Sequence, residues 1–272
     1  MKRLINQTPT PGLRLALGIL PFVLLLLVYL LASDARLAEN PNDKLLPSFS
    51  QIGDAIQRMA FEPNRRTGEY QLWADTASSL TRLGLGVLLA ASLGLILGLS
   101  TGALPMVSAL TSPLLTVVSL IPPLAILPIL FIVFGLGEPA KVALIALGIT
   151  PFIARDLQRR TLEIPMEQLV KAQTLGANTS QIICRVLLPQ LLPRLIDSVR
   201  LSLGAGWLFL IAAEAIAATD GLGYRIFLVR RYMSMDVILP YVAWITLLAF
   251  MIDAALAGLS RRLFPWQNKG GH

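Results

Sequence analysis

The sequence predicts an all-α, polytopic membrane protein with about six transmembrane helices and a polar helix pair outside the membrane. Three observations lead there. The chain is 55% hydrophobic and only 14% charged over 272 residues, too apolar for an ordinary soluble domain. Apolar runs of roughly 20 residues, the length that crosses the hydrocarbon of a bilayer, recur along it. Between two of them stands VKAQTLGANTSQIICRVLLPQLLP, Val170 to Pro193, which has helix signals but carries Lys171, Arg185, a glycine and two prolines.

The first run, Leu13 to Ala32, has no small-residue cleavage site after its core and reads as a retained anchor. The later spans are Leu80 to Leu99, one within Val107 to Phe134, then Ala140 to Ile153, Ile196 to Ala218 and Val237 to Leu259. With the N-terminus inside, the inner segments hold twelve Lys and Arg and the outer ones nine. Five of those nine sit on one long polar loop, which weighs less than charges near helix ends, so both termini are expected in the cytoplasm. That loop, Ser33 to Ser79, contains an amphipathic stretch that Ser48 caps, with Phe49, Ile52, Ile56 and Met59 on one face. It reads as a short helix at the membrane surface.

Composition narrows the chemistry. The only cysteine is Cys184 and the only histidine is His272, so no disulfide within the chain and no Cys/His metal cluster is possible. No cofactor and no catalytic residue is expected. The formal charge of +7 comes without dense basic clusters or interleaved aromatics, which points to anionic lipid beside the loops rather than to nucleic acid.

The polar stretch parses into two helices. Pro165 suits a first helical turn, Leu169, Ala172 and Gly176 share a face, and Gly176 ends the helix. Asn178 with Gln181 three residues on forms a capping box for the next helix, whose apolar patch is Ile182, Ile183, Val186 and Leu187, and Pro189 is expected to close it. By spacing alone such a pair could lie on lipid, rest on its own bundle or dock on a partner.

Inside the spans, Glu214 and Asp253 are costly in hydrocarbon and are expected to face the bundle. Arg200 is three residues from Asp197, a poor spacing for a pair, and can also meet a carboxylate on another helix. These residues are candidates for pathway or gating roles, with interhelical polar bonding as the alternative. Pro122, Pro123 and Pro128 should bend the third span and free carbonyls that could line a pathway. GLGY at Gly221 reads as an outer turn.

The polar stretch also resembles the cytoplasmic coupling loop of ABC importer permeases, whose usual form is Glu-Ala-Ala, three residues, Gly, nine residues, Ile, one residue, Leu-Pro. Ala172, Gly176, Val186, Leu188 and Pro189 match, while Val170 and Lys171 replace the Glu-Ala. LPSFSQI at Leu46, SSLTRLGLGVLLAASLGLILGLSTG at Ser78, SLIPPLAILPILFIVFGLGEPAKVALIALG at Ser119, GAGWLFLIAAEAIAATDGLGY at Gly204 and MDVILPYV at Met235 are similar, in order, to segments of the nitrate, taurine and alkanesulfonate branch. The resemblance runs from about Leu46 to Leu263. It implies an anchor and outer loop over 1–75, a permease domain over 76–264 with a coupling loop at 157–193, and a tail at 265–272. It further implies a second permease copy, cytoplasmic ATPase subunits docked on the coupling loop, an extracytoplasmic binding protein, and a small oxyanion, sulfonate or related solute. Leu169, Ala172, Gly176, Ile182, Ile183, Val186, Leu188 and Pro189 would make the ATPase contact.

The chain has no G-x-x-x-x-G-K-[ST], so it holds no P-loop of its own and its energy must come from another subunit. A membrane enzyme would need a His, Cys or paired-carboxylate constellation that is absent here. A channel would not need the helix pair, and an ion-coupled carrier would be expected to show repeated halves with interrupted helices.

Overall fold

The computed structural model describes residues 9–40, 43–64 and 68–266. Lys2, Arg3, Arg65, Arg66 and Lys269 of the charge comparison, His272, and most of the predicted tail lie outside the described residues. The regular elements of the described residues are helices, α1 to α11 in order, besides one isolated bridge between Pro63 and Tyr70. Helix α1, Pro11–Glu39, begins at a Thr10 cap with proline in its first turn and presents nearly all its apolar side chains outward. Only its far end is tied down, by Tyr29 OH to Pro47 O at 2.6 Å and Ser33 Oγ to Leu46 O at 2.9 Å.

Helix α2, Phe49–Ala60, has the expected Ser48 cap, completed by Gln51 into a capping box. It packs a flank against α11, Met235–Leu263, and against α3, Gln71–Ala103, burying Ala55, Met59 and Ala60 while Phe49 and Ile56 stay outside. Two alanines on the buried flank let the backbones approach, and Trp73 Nε1 donates to Ala60 O at 3.0 Å.

The core is the contact of α3 with α6, Glu138–Leu162. Small residues recur on α3 at every fourth position, Gly86, Ala90, Gly94, Gly98 and Gly102, which places them on one stripe. The facing stripe of α6 is Ile145, Ile149, Ile153, Leu157 and Thr161, with the four hydrophobic members fully buried or nearly so. A Cβ added at Gly94 would lie 2.6 Å from Ile153 Cγ2, and one at Gly98 2.6 Å from Leu157 Cβ. Only hydrogen fits. Because Gly86 meets Ile145 and Gly102 meets Thr161, the two helices run in the same direction.

The intervening chain must therefore return. It does so as α4, Pro105–Leu120, a 3₁₀ turn at Pro123–Ile126 and α5, Leu127–Phe134, bent by 87° at the break. Pro122 and Pro123 sit at that break, where neither can donate to a helical ladder. Among the described residues four helices are long and apolar enough to cross a membrane (α1, α3, α11 and the continuous helix Thr179–Ala217), or five if the bent pair is one span. The sequence count of six includes Ala140 to Ile153, which lies within α6. That helix is long enough but carries Glu138 and Lys141 at one end and Arg155 and Asp156 toward the other, and it is largely enclosed by α3 and α9.

After α6 come α7, Met166–Thr174, α8, Thr179–Ile182, a π-helical turn at Ile183–Leu187, and α9, Leu188–Ala217. Pro189 does not close the second helix, contrary to expectation. The ladder switches to wider spacing, with Leu188 N–H bonded to Ile183 O, just before the proline whose N–H is missing, so the helix passes through without a break. Helix α9 packs antiparallel to α6, with Phe209 against Gly148 near the middle of α6 and Ser198 Oγ donating to Asp156 toward its end. A short α10, Leu222–Arg230, links it to α11.

Candidate coupling site and intramembrane charges

The helical hairpin α7–α8 projects from the end of the bundle where α3 and α6 finish. Its turn is set by backbone geometry that the sequence dictates. Gly176 has φ +80, Gly176 N–H bonds Gln173 O at 2.9 Å, and Ala177 N–H bonds Ala172 O at 3.0 Å, the paired bonds of a Schellman termination. Asn178 then caps α8, reciprocated by Gln181, each bond 2.9 Å. Leu169, Ala172, Ile182, Ile183, Val186, Leu188 and Pro189 are all half-buried, and Gly176 is exposed with no atom within 4 Å of a Cβ position. Gln190 Nε2 to Gln168 Oε1, 3.1 Å, ties α7 to α9.

The most exposed apolar side chains of the hairpin are others. Leu175 at the tip is 80% exposed and Met166 and Val170 stand out of α7. Sequence reading passed over them because it sought the faces of helices, whereas Leu175 lies on the turn.

A second cluster lies at the opposite end, where α3 and α6 begin and α9 ends. Glu214 is fully buried, as expected of a carboxylate in a span, and its partner is Arg82 of α3: Nη1 to Oε1 is 2.8 Å. Ser79 Oγ, 2.8 Å, and Gly223 N–H, 2.8 Å, also donate to it. Arg82, itself buried, reaches Glu138 and Asp220 as well, so three carboxylates from α6, α9 and the following loop converge on one guanidinium. Beside it Asp75 accepts from Gly221 N–H at 3.0 Å, Arg225 Nε at 2.9 Å and Tyr241 OH at 3.0 Å.

The GLGY segment is more than a turn. Gly221, φ +109, starts α10, and a Cβ there would lie 2.5 Å from Glu214 Oε1. Burial pushes the Asp220 carboxyl up, but the bonds from Arg82 and Ser78 outweigh it and hold the group below the usual aspartate range.

Arg200 and Asp253 meet each other, Nε to Oδ1 at 2.8 Å and Nη2 to Oδ2 at 3.0 Å, while Asp197 stands off at 3.8 Å. Asp253 thus pairs across helices but is not enclosed: the two side chains are 30% and 44% exposed. Fourteen residues of α9 separate Arg200 from Glu214, roughly 21 Å at 1.5 Å per residue, so the candidate charges form two separate groups. Pro122 and Pro123 belong to neither; Pro123 lines a cavity between α4, α6 and α9.

Apolar helices long enough to cross a bilayer, with a buried charge cluster at one end of the bundle and a capped hairpin standing off the other, define an integral membrane protein. Residues 90–266 match the family described as binding-protein-dependent transport system inner membrane component, and the chain belongs to that family. The taurine transport system permease protein TauC of Escherichia coli (strain K12) is 37% identical over 198 residues, 73% of this chain and 72% of that protein. The putative aliphatic sulfonates transport permease protein SsuC of Bacillus subtilis (strain 168) is 29% identical over the same shares, and the nitrate import permease protein NrtB of Leptolyngbya laminosa is 27% identical over 91% of this chain and 87% of its own. Among solved structures, an inward-facing MetNI methionine ABC transporter chain superposes with a TM-score of 0.58, 23% identity, and coverage of 70% of this chain and 93% of that one, a likeness of fold. The chain is an inner-membrane permease subunit of an ABC importer, and ATP hydrolysis belongs to a separate subunit.

Proposed function

We propose that two copies of this chain form the translocation pathway of an importer for a small oxyanion or sulfonate, with the α7–α8 hairpin seated on an ATPase subunit at the cytoplasmic face. Both termini then lie in the cytoplasm, and the Arg82 cluster lies at the outer end, where a binding protein delivers the solute. The observation that carries the reading is the continuity of the hairpin with the spans. It leaves α6 through a short linker and enters α9 through an unbroken π turn, so a displacement of the hairpin is passed on as a rigid-body movement of both helices. Leu175, Met166 and Val170 offer the apolar contact a partner groove needs. The Arg200–Asp253 pair, half-exposed within two spans, needs cover other than lipid tails, and a second copy supplies it. The taurine, sulfonate and nitrate named for the relatives are small and bear anionic oxygens, which supports the solute class.

Gly176→Asp and Ile183→Asp test the coupling separately at the turn and at the second helix. In proteoliposomes holding the whole complex, each should lose ATPase subunits on a sizing column or hydrolyse ATP without uptake. Normal coupled uptake in both would mean that the hairpin only rests on the membrane surface.

A further inference from the structure

A cavity of about 810 Å³ opens between α4, the Pro122–Pro123 break, α6 and α9. Its inner wall is apolar, with Ile126, Leu147, Phe152 and Phe209 among the lining side chains, and its mouth toward the hairpin end is edged by Arg155, Arg159 and Arg160. Two of those arginines are neutralised. Arg159 pairs with Asp156 at 2.9 Å, and Arg160 lies 3.4 Å from Glu163 and 3.7 Å from Asp156. Arg155 has no carboxylate among the described residues. Its one hydrogen bond there is Nη2 to Thr116 Oγ1 on α4, 2.8 Å.

Position makes that bond informative. Arg155 lies seven residues before the end of α6 and Thr116 eleven after the start of α4, so the pair sits roughly 10–16 Å in from the hairpin end at 1.5 Å per residue. An arginine that merely snorkelled would direct its head toward that end. This one is turned across to a neutral hydroxyl on α4. The same edge of α4 carries Ser108 and Ser112, both bonded by Gln158 of α6, and then Thr116 and Ser119, so a polar seam leads from the hairpin end to the cavity. A guanidinium with most of its five donors unused, at the head of a hydroxyl seam and against an apolar wall, suits one small oxyanion with a short nonpolar body.

We infer that Arg155, positioned by Thr116, is the anion-binding residue of the inner half of the pathway, where a delivered oxyanion pauses before leaving along the α4–α6 seam. The inference rests on the importer reading above. The solute anion commits the site; a lipid phosphate offers the same chemistry and is separated from it by the choice of vesicle.

The test uses the complete complex, with ATPase subunits and binding protein, in vesicles of phosphatidylcholine alone and in vesicles containing phosphatidylglycerol. Nitrate, taurine and ethanesulfonate are the probes. Arg155→Gln should cut the maximal uptake rate tenfold or more, with the external concentration for half-maximal uptake unchanged because the binding protein sets it. Arg155→Lys, which keeps the charge and loses the fork, and Thr116→Val, which frees the guanidinium, should each fall between it and wild type, in both lipids. Retention of the subunits on a column shows that each variant has assembled, and if Arg155→Gln does not assemble the lysine and valine variants carry the comparison. Wild-type rates in the assembled variants overturn the site. A loss seen only with phosphatidylglycerol assigns Arg155 to lipid and also overturns it. Wild-type vesicles that import none of the three anions overturn the transport reading instead.

Discussion

The two ends of this bundle are built on opposite principles. At the Arg82 end, charged side chains from α3, α6, α9, the loop after it and α10 interlock, joined by Tyr241 of α11, with Glu214 and Asp75 almost wholly enclosed and Glu138 and Asp220 reaching the surface. At the hairpin end no residue of α7 or α8 is buried, and order comes from local chain chemistry: a glycine with positive φ, a capping box and a π turn. Long-range charge pairing fixes one end of the helices relative to one another. Local capping shapes the other end without binding it tightly to the bundle, which suits the moving part that the proposed coupling makes of it.

The contrast makes its sharpest claim at Glu214. Glu214→Leu takes from buried Arg82 the innermost of its three carboxylates and leaves Ser79 Oγ and the Gly223 N–H without that acceptor, which together should cost about 3–5 kcal/mol and show as lost expression or a steep fall in thermal stability in detergent. The double variant Arg82→Leu, Glu214→Leu should recover part of that loss; no recovery would mean that the pair is not the source of the cost. Next in size is the helix contact joining the two ends. Gly94→Ala places a methyl 2.6 Å from Ile153 Cγ2 and should destabilise by about 1–3 kcal/mol, and Ile153→Ala, which removes that Cγ2, should cost less in the Gly94→Ala chain than in wild type. Gly176→Ala, by contrast, meets no atom and carries only the strain of a positive φ, about 1 kcal/mol. Its uptake should stay near wild type, unlike that of Gly176→Asp; an equal loss in both would trace the effect to the backbone angle rather than to the partner contact. The smallest effect is electrostatic and graded. The Asp220 carboxyl is held low in the folded chain, so its contribution is fully present above the unfolded value of about 3.9 and is lost as pH falls through the lowered value. The difference in melting temperature between wild type and Asp220→Asn should therefore be present at neutral pH and vanish on acidification.

How much of this was legible depends on the range of the interaction. The hairpin was readable almost bond by bond, because Gly176, Asn178 and Gln181 act on neighbours three to five residues away. Glu214 was readable as a residue that needed a partner, since a lone acid in an apolar run has few other options. The identity of the partner was not. Arg82 lies 132 residues away, at the margin of the second run, and Asp75 lay in what reads as loop because α3 starts at Gln71, well before the apolar residues do. The every-fourth spacing of Gly86 to Gly102 is written in the chain, but nothing local says that α6 rather than lipid lies against it. Pro189 misled for a related reason: a proline reads as a stop unless the ladder changes pitch just before it, and that change is a property of the folded helix.

The distance between Arg82 and its partners has a consequence for biosynthesis. Glu138 follows Arg82 by 56 residues and Glu214 by 132. At about 5–20 residues per second, the ribosome needs on the order of ten seconds to supply the second carboxylate. During that interval α3 has left the ribosome with an unpaired arginine near its leading end and an empty glycine groove along its side. The nascent helix must therefore linger beside the insertion machinery, or beside water, until α6 and then α9 arrive, and quality control has a recognisable target in any chain that stalls between them.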